Sequence, residues 1–467
     1  MIQRMLEGLK KMFGAQDMTT GKPLYNLAAF SIPLLIGNVA QQLYNTVDSI
    51  IVGKYVGDAA LAAVGTSGPI LNLLLLLFMG ISTGAGIMVS QYFGARRTED
   101  LNQTIGTCLT LTFIASIIIM IVGPILTPLL MSLLNTPPEV YDMAVDYLTI
   151  FFLGIIGCGY YNIVSGILRG MGDSVSPLIF LVVACVLNII LDLAFVAGLG
   201  MTADGVALAT VIAQSISAVL CVWRLMSMKN GIVVNKKTLK PDKLMTKSIV
   251  RLGLPSGLTQ AIFSMAAIIV QSLTNSFGTS VIACSNVVMR VDGFAMMPNF
   301  TFGMAMTTYV GQNIGAKLMK RVDEGVKVGT IAGVIISAVL VSAILLFGEG
   351  LMRMFTSTEE VVLLGVRMLR ILAVGYIAMA VTQSLSGVMR GAGDTMTPMW
   401  ISIITTVIIR MPIAYLWAAL TKTEAMPNGN PDCIFCSLLI SWVMGALLTF
   451  FAFKKGAWRS KTLKDHA

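Results

Sequence analysis

Twelve long apolar runs follow one another along the chain, and they constrain its fold more than any other feature. A helix that spans a bilayer needs about 20 mostly apolar residues. With 56% hydrophobic and 12% charged residues among 467, the composition excludes a soluble enzyme and a disordered chain. We therefore predict an all-α polytopic membrane protein with twelve transmembrane helices. The predicted spans are 27–52, 60–92, 103–126, 139–168, 175–197, 204–227, 248–274, 281–311, 325–348, 359–388, 396–420 and 432–453.

The chain also repeats itself with a constant offset of 221 residues. The segment GILRGMGDSVSP, which begins at Gly166, matches GVMRGAGDTMTP, which begins at Gly387, at six identical positions. The same offset pairs Gln91 with Gln312. The sequence thus predicts two homologous halves of six helices. Because six is an even number, both halves have the same orientation, a parallel repeat found in some transporters.

Five segments follow from this division. They are a cytoplasmic amphipathic segment 1–26, an N-lobe 27–227 with helices 1–6, a cytoplasmic linker 228–247, a C-lobe 248–453 with helices 7–12 and a basic cytoplasmic tail 454–467. By our count, 25 of the 32 basic residues lie in these polar segments or in loops on their side of the membrane. Lys and Arg accumulate in cytoplasmic loops, so we predict that both termini are cytoplasmic, in a bacterial inner membrane. The net charge of +9 then reflects topology and anionic lipid, and no nucleic-acid partner is expected.

Few ionisable residues lie inside the predicted spans, where each is costly to hold. Asp48 follows Gln41 and Asn45 at helical spacing, so the three share one face of the first span. Asn188 and Asp192 are four residues apart in the fifth span, which places a second carboxylate beside an amide.

Two kinds of ion suit such a group of oxygens. Two close carboxylates cannot both ionise cheaply, so the pair Asp48 and Asp192 can take up a proton. Together with the hydroxyl of Thr210 they also offer the hard oxygen ligands that Na⁺ prefers. Asp48 and Asn188 can instead act only as hydrogen-bonding groups between helices. The residues alone leave these alternatives open.

The second half of the chain lacks the acidic pair. At the offset of 221, both Asn188 and Asp192 fall on isoleucines. Three other charged residues lie in spans 8 and 11 instead, and we interpret them as a structural or gating network: Arg290, Asp292 and Arg410.

Pro33 lies 15 residues before Asp48 in the same predicted helix. Proline removes a backbone hydrogen bond and promotes a kink. A kink here either couples protonation to the shape of the helix or is a static bend.

Residues for metal or covalent chemistry are scarce. The single histidine, His466, lies in the tail. Cys433 and Cys436 have no second pair, so we interpret them as small residues at the start of an apolar helix. We find no Walker motif, and we expect neither catalytic residues nor a cofactor.

Together these features resemble the MATE (multidrug and toxic compound extrusion) family of transporters. The resemblance rests on twelve spans in two halves, on Pro33 with the stretch QQLYNTVD that begins at Gln41, and on the duplicated RGxGD-x-x-x-P. It implies the MATE fold of two pseudo-symmetric six-helix lobes, and no enzymatic activity.

The resemblance also assigns roles to residues. In that family a cation-coupling site is formed by positions that match Asp48, Asn188, Asp192 and Thr210 here, and a helix-1 kink matches Pro33. Gln41 and Asn45 support the site as a polar stripe. Phe263 and Met379 stand where NorM-type members carry further acidic residues, so the chain is more similar to the DinF-like branch.

The implied activity is secondary antiport by alternating access, in which organic cations, drugs or amphiphilic toxic compounds leave in exchange for H⁺ or Na⁺. Aromatic faces attract cations, which makes Tyr44, Phe263, Phe294 and Met297 candidates for the substrate cavity. We expect a monomer whose partners are small molecules and membrane lipids. The alternative function is a flippase or exporter of a lipid-linked or polysaccharide precursor.

Overall fold

A computed structural model of the chain describes residues 16–134, 136–228, 232–424 and 426–460. The predicted amphipathic helix near the N-terminus and His466 lie outside these residues. Within α1 and α2, defined below, the side chains of seven residues also lie outside the description: Asn45, Asp48, Ser49, Ile50, Val52, Asp58 and Leu61.

Over the described residues the fold consists of α-helices with two short π-helical segments, Leu193–Gly198 and Ile404–Arg410, and one 3₁₀ turn, Ala457–Ser460. The helices are α1 Pro23–Tyr55, α2 Asp58–Gly94, α3 Thr98–Leu133, α4 Pro138–Leu153, α5 Ile155–Gly170, α6 Val175–Asp192, α7 Ala203–Ser227, α8 Lys243–Ser276, α9 Thr279–Gly315, α10 Met319–Arg353, α11 Glu359–Gly391, α12 Met396–Ile403, α13 Met411–Leu420 and α14 Asp432–Lys455.

The number of membrane spans agrees with the prediction from the sequence. In the described part of the chain, eleven helical segments are long and apolar enough to cross a bilayer. The pair α4 and α5, with a 52° bend between them, passes the same test together and brings the number to twelve when it is counted as one span. The bend lies at Gly154, where an added Cβ would stand 2.1 Å from Cγ1 of Val211. The predicted all-α polytopic fold is therefore confirmed.

The internal repeat is visible in the backbone. Left-handed residues occur in pairs separated by 221 positions: Arg96 (φ 55°) with Lys317 (φ 61°), and Gly172 (φ 89°) with Gly393 (φ 94°). A left-handed residue after the last turn is a common way to end a helix. Gly172 also has no room for a side chain, because a Cβ would lie 2.0 Å from the carbonyl oxygen of Gln16.

The repeated RGxGD motif ends one helix and begins the next. In the first copy, the carboxylate of Asp173 accepts hydrogen bonds from the backbone N–H (2.9 Å) and the hydroxyl (2.7 Å) of Ser176. In the second copy, Asp394 accepts from the N–H (3.2 Å) and the hydroxyl (2.7 Å) of Thr397. Each aspartate thus satisfies backbone donors in the first turn of a helix. The first copy adds an ion pair at 3.0 Å between Asp173 and Arg224 of α7.

The chain divides into two compact units, each with its own core. The first unit comprises Ile32–Gly257 and the described residues before Met18; the second comprises Met18–Ser31 and the described residues from Leu258 onward. Two helices therefore contribute to both units. Helix α1 passes from the second unit to the first after Ser31, and α8 passes from the first to the second after Gly257.

Candidate functional site

The first unit holds a buried polar cluster at the C-terminal end of α6. Asn188 is 1% exposed and Asp192 is fully buried, one helical turn apart. The Asn188 amide group donates to Oδ2 of Asp192 (2.8 Å) and to the Tyr44 hydroxyl (3.0 Å). Its oxygen accepts from the backbone N–H (3.1 Å) and the hydroxyl (3.3 Å) of Thr210. This amide orientation is assigned from the hydrogen bonds, because it alone satisfies both ends of the side chain.

Three helices supply this cluster. Asn188 and Asp192 belong to α6, Thr210 to α7 and Tyr44 to α1. A carboxylate in an apolar span is expensive unless hydrogen bonds compensate the loss of water. The cluster provides that compensation through the Asn188 amide, which links α1, α6 and α7 at the level of Asp192.

The other α1 residues of the predicted site are described only in part. Asp48 lies in the same helix, four residues after Tyr44, and its side chain and that of Asn45 lie outside the described residues. The side chain of Gln41 is half-buried. The structure thus brings Asn188, Asp192 and Thr210 together, and it gives no position for the Asp48 carboxylate.

A π-helical segment begins directly after Asp192. Such segments are rare and often lie at functional sites, because the wider turn leaves backbone carbonyls without their usual partners. The second unit has a π-helical segment too, and it ends at Arg410, another charged residue inside a span. The two segments are not related by the offset of 221, so they are not a product of the repeat.

Arg410 belongs to a second polar group, which lies in the second unit and consists of the buried Tyr376 and the half-buried Asp292 and Arg410. The side chains of Tyr376 and Arg410 both lie within electrostatic range of Asp292. The Tyr376 hydroxyl and Oδ1 of Asp292 are enclosed atoms without a hydrogen bond of regular geometry to any described residue. Arg290 has an exposed side chain, although only two residues separate it from Asp292. Residues two apart on a helix point in different directions, which explains this separation.

The remaining predicted residues lie in different surroundings. Pro33 is inside the continuous helix α1, two residues after the helix passes between units. Phe263 and Met297 are half-buried, and Phe294 is exposed over 52% of its surface. Tyr44, also a candidate for the substrate cavity, contributes its hydroxyl to the buried cluster.

Groups for metal or redox chemistry are not assembled in the described part of the chain. No set of three or more His, Cys, Asp and Glu residues meets there in a geometry that could hold a metal ion. Cys433 and Cys436 are free thiols in the first turns of α14, and Cys433 is fully buried.

Eleven to twelve apolar spans among the described residues, in two repeated halves, define the class of protein: a polytopic membrane protein with a parallel internal repeat, an architecture found in transporters. The family model MatE matches the chain twice, at residues 33–194 and 255–416, which together make up more than half of its length. The chain belongs to the MatE family, whose members are transporters and not enzymes. The two matches agree with the repeat seen in the sequence and in the backbone.

Relatives and solved structures agree with this assignment. The chain is 30% identical over 424 residues to "Probable multidrug resistance protein YoeA" of Bacillus subtilis (strain 168). This match covers 89% of this chain and 92% of that protein. It is 29% identical over 449 residues to "Probable multidrug resistance protein YpnP" of the same organism, covering 96% and 99%. A solved structure described as the outward-facing conformation of a multidrug resistance MATE family transporter of the MOP superfamily has a TM-score of 0.86 at 23% identity, covering 96% of this chain and 98% of that chain.

Proposed function

We propose that the protein is a secondary antiporter that exports organic cations, drugs or amphiphilic toxic compounds by alternating access, in exchange for protons. The observation that carries this proposal is the fully buried Asp192, held by the Asn188 amide in a span of a transporter fold. An ionisable residue inside a span is rare because it is costly to hold there, and it commonly marks a path for ions or substrate. The names of two relatives, both called probable multidrug resistance proteins, support the substrate class.

The hydrogen bonds of the cluster favour H⁺ over Na⁺ as the coupling ion. A sodium site would use the oxygens of Asp192, Asn188 and Thr210 together. When the amide is oriented by the hydrogen bonds of the protein alone, its nitrogen faces the Asp192 carboxylate. A sodium ion would suit the opposite orientation, in which the Asn188 oxygen turns to the ion and the amide nitrogen donates to the Thr210 hydroxyl (3.3 Å). A proton on Asp192 requires no such rearrangement.

Helix α1 is the element through which we propose that protonation acts. It carries Tyr44 in the cluster and Asp48 one turn further, and it contributes to both compact units. Pro33 lies close to the point where α1 passes between them, at Ser31 and Ile32. We propose that this proline lets the helix bend when the charge of the cluster changes. Gln41 and Asn45 support Asp48 as a polar stripe.

The proposal also covers the charged residues of the second unit, the branch of the family and the membrane topology. Asp292 and Arg410, with Tyr376, form a structural network in the second unit, and Arg290 acts separately as a gating charge. Phe263 and Met379 support a DinF-like branch, because neither can serve as an acidic group. We propose that both termini are cytoplasmic, because basic residues such as those of the linker accumulate on that side, and that the protein acts as a monomer in a bacterial inner membrane.

Efflux of a fluorescent cation tests the proposed function. Cells loaded with ethidium and expressing the protein should extrude the dye, and Asp192→Asn and Asp48→Asn should each abolish gradient-driven extrusion at unchanged expression. The matched control is Asp142→Asn, which removes an exposed carboxylate of the same half and should leave efflux unchanged. If Asp192→Asn exports ethidium at the wild-type rate, the coupling role of this cluster is wrong.

A further inference from the structure

A groove with a volume of about 430 Å³ opens on the surface of the second unit. It is built by the C-terminal end of α10 and the first three turns of α11. Its lining combines aliphatic side chains with charged groups of both signs: Glu349, Leu363, Val366, Arg367, Arg370 and Ile371.

The charges of the groove are unequally compensated. Arg367 forms an ion pair with Asp432. Glu349 interacts with Arg353 at 3.0 Å, but Arg353 also binds Glu359 at 2.9 Å, so one guanidinium serves two carboxylates. Arg370 has neither an ion pair nor a hydrogen bond with any part of the chain that the structure describes. The groove therefore presents one uncompensated cation and one carboxylate that is only partly compensated.

The surroundings of the groove are those of a lipid-facing surface. Leu346 and Phe347 of α10 are exposed over 78% and 66% of their surface, and Leu363 and Val374 of α11 over 62% each. Arg370 is the twelfth residue of α11, about 16 Å from its start at a rise of 1.5 Å per residue. The whole helix is about 50 Å long, and a bilayer core is about 30 Å thick. A centred α11 would place Arg370 just inside the edge of the hydrocarbon, near the lipid phosphates.

We infer that this groove binds one phospholipid whose headgroup carries a primary ammonium beside its phosphate, as phosphatidylethanolamine does. Arg370 binds the phosphate through charge-assisted hydrogen bonds, which are the strong form of that interaction. The ammonium lies against Glu349, and one acyl chain follows the aliphatic wall of Leu363, Val366 and Ile371. In the orientation proposed above, this lipid belongs to the outer leaflet.

The chemistry of the groove favours this headgroup over two others. Phosphatidylglycerol offers a phosphate to Arg370 and neutral hydroxyls to Glu349, but it lacks a positive charge and adds a net negative charge beside that carboxylate. Phosphatidylcholine offers a cation without N–H donors, so its headgroup cannot hydrogen-bond to Glu349. A primary ammonium gives Glu349 both N–H donors and an opposite charge, which neither of the other two headgroups combines.

Lipid retention measured by native mass spectrometry tests the inference. The full-length protein is purified in detergent, equilibrated with equal amounts of phosphatidylethanolamine, phosphatidylglycerol and phosphatidylcholine, and its bound lipids are counted. Wild type should retain one phosphatidylethanolamine in preference to the other two. Arg370→Gln should reduce retention of this lipid about tenfold, and Glu349→Gln should keep a bound phospholipid but lose the preference for the ethanolamine headgroup.

Lys422→Gln is the matched control, because it removes an exposed cation of the second unit that does not line the groove. It should retain lipid as wild type does. Equal retention of all three lipids by wild type would overturn the inference. So would wild-type retention by Arg370→Gln, or an equal loss in Lys422→Gln, which would mean that general surface charge governs binding.

Discussion

Helices α2 and α8 approach each other so closely that their contact requires glycine. A Cβ added to Gly84 would lie 2.5 Å from the carbonyl oxygen of Ile249 and 2.7 Å from the nitrogen of Gly253. Ordinary contact begins at 3.4 Å, and both atoms belong to the backbone, which cannot rotate away. Gly84→Ala therefore forces the two helices apart by about 1 Å, the difference between the first distance and ordinary contact.

Gly84→Ala lowers the free energy of unfolding because close packing along this interface is lost. Small residues let membrane helices associate through dense van der Waals contact, and overpacking a tight contact costs about 1–3 kcal/mol. We predict that Gly84→Ala lowers the free energy of unfolding by this amount. Gly65→Ala is the matched control, because the same helix has open space within 4 Å at that position. Alanine favours a helix over glycine by about 1 kcal/mol, so the control should be neutral or stabilising.

A thiol-reactive dye can follow this unfolding, because several free cysteines are buried in the folded protein. The apparent melting temperature in detergent should fall for Gly84→Ala and hold or rise for Gly65→Ala. Equal melting of the two variants would refute the argument from helix contact.

Two further variants test other parts of the account. Asp173→Ala removes a buried carboxylate that holds Ser176 and Arg224, and it should lower the stability by about 1–3 kcal/mol in the same melting assay. Arg224→Met should lower it at least as much, because the Asp173 carboxylate, 1% exposed, then stays buried without its cation. Pro33→Ala restores a backbone hydrogen bond in α1. Ethidium should then bind as in wild type but be exported more slowly. An unchanged ratio of efflux rate to binding affinity would contradict a hinge role for this proline.

Much of the fold follows from the sequence because its causes are local. A run of about 20 apolar residues predicts a span by itself, and a constant offset predicts the repeat. The 52° bend at Gly154 was not predicted, since a glycine in an apolar run does not signal a bend by itself, and Val211, which leaves no room for a side chain there, lies 57 residues away. The passage of α1 from one compact unit to the other was missed for a similar reason: hydrophobic periodicity identifies a buried face but not the helix that covers it.

In the candidate site, too, the local features could be predicted and the contacts between helices could not. Asn188 and Asp192 could be placed on one face because their spacing is that of one helical turn. The Tyr44 hydroxyl was not predicted as their partner, since tyrosine was considered only for its aromatic face. Its position, four residues before Asp48 and three after Gln41, was the available signal.

The second polar group shows what spacing cannot supply. Arg290 and Asp292 were identified as unusual charges, and their spacing correctly indicated that they do not face each other. Tyr376 could not be connected with Asp292 by any local pattern, because a single tyrosine in an apolar span is ordinary. Only the packing of α9 against α11 brings these two residues together.

Transport in proteoliposomes under one ion gradient at a time tests the central claim most directly. Purified protein is reconstituted, and uptake of ethidium is measured with an imposed pH gradient, with an imposed Na⁺ gradient and with neither. The account predicts that the pH gradient alone drives uptake by wild type and that Asp192→Asn shows no gradient-driven uptake. Uptake driven by Na⁺ without a pH gradient, or a wild-type response of Asp192→Asn to the pH gradient, would contradict it.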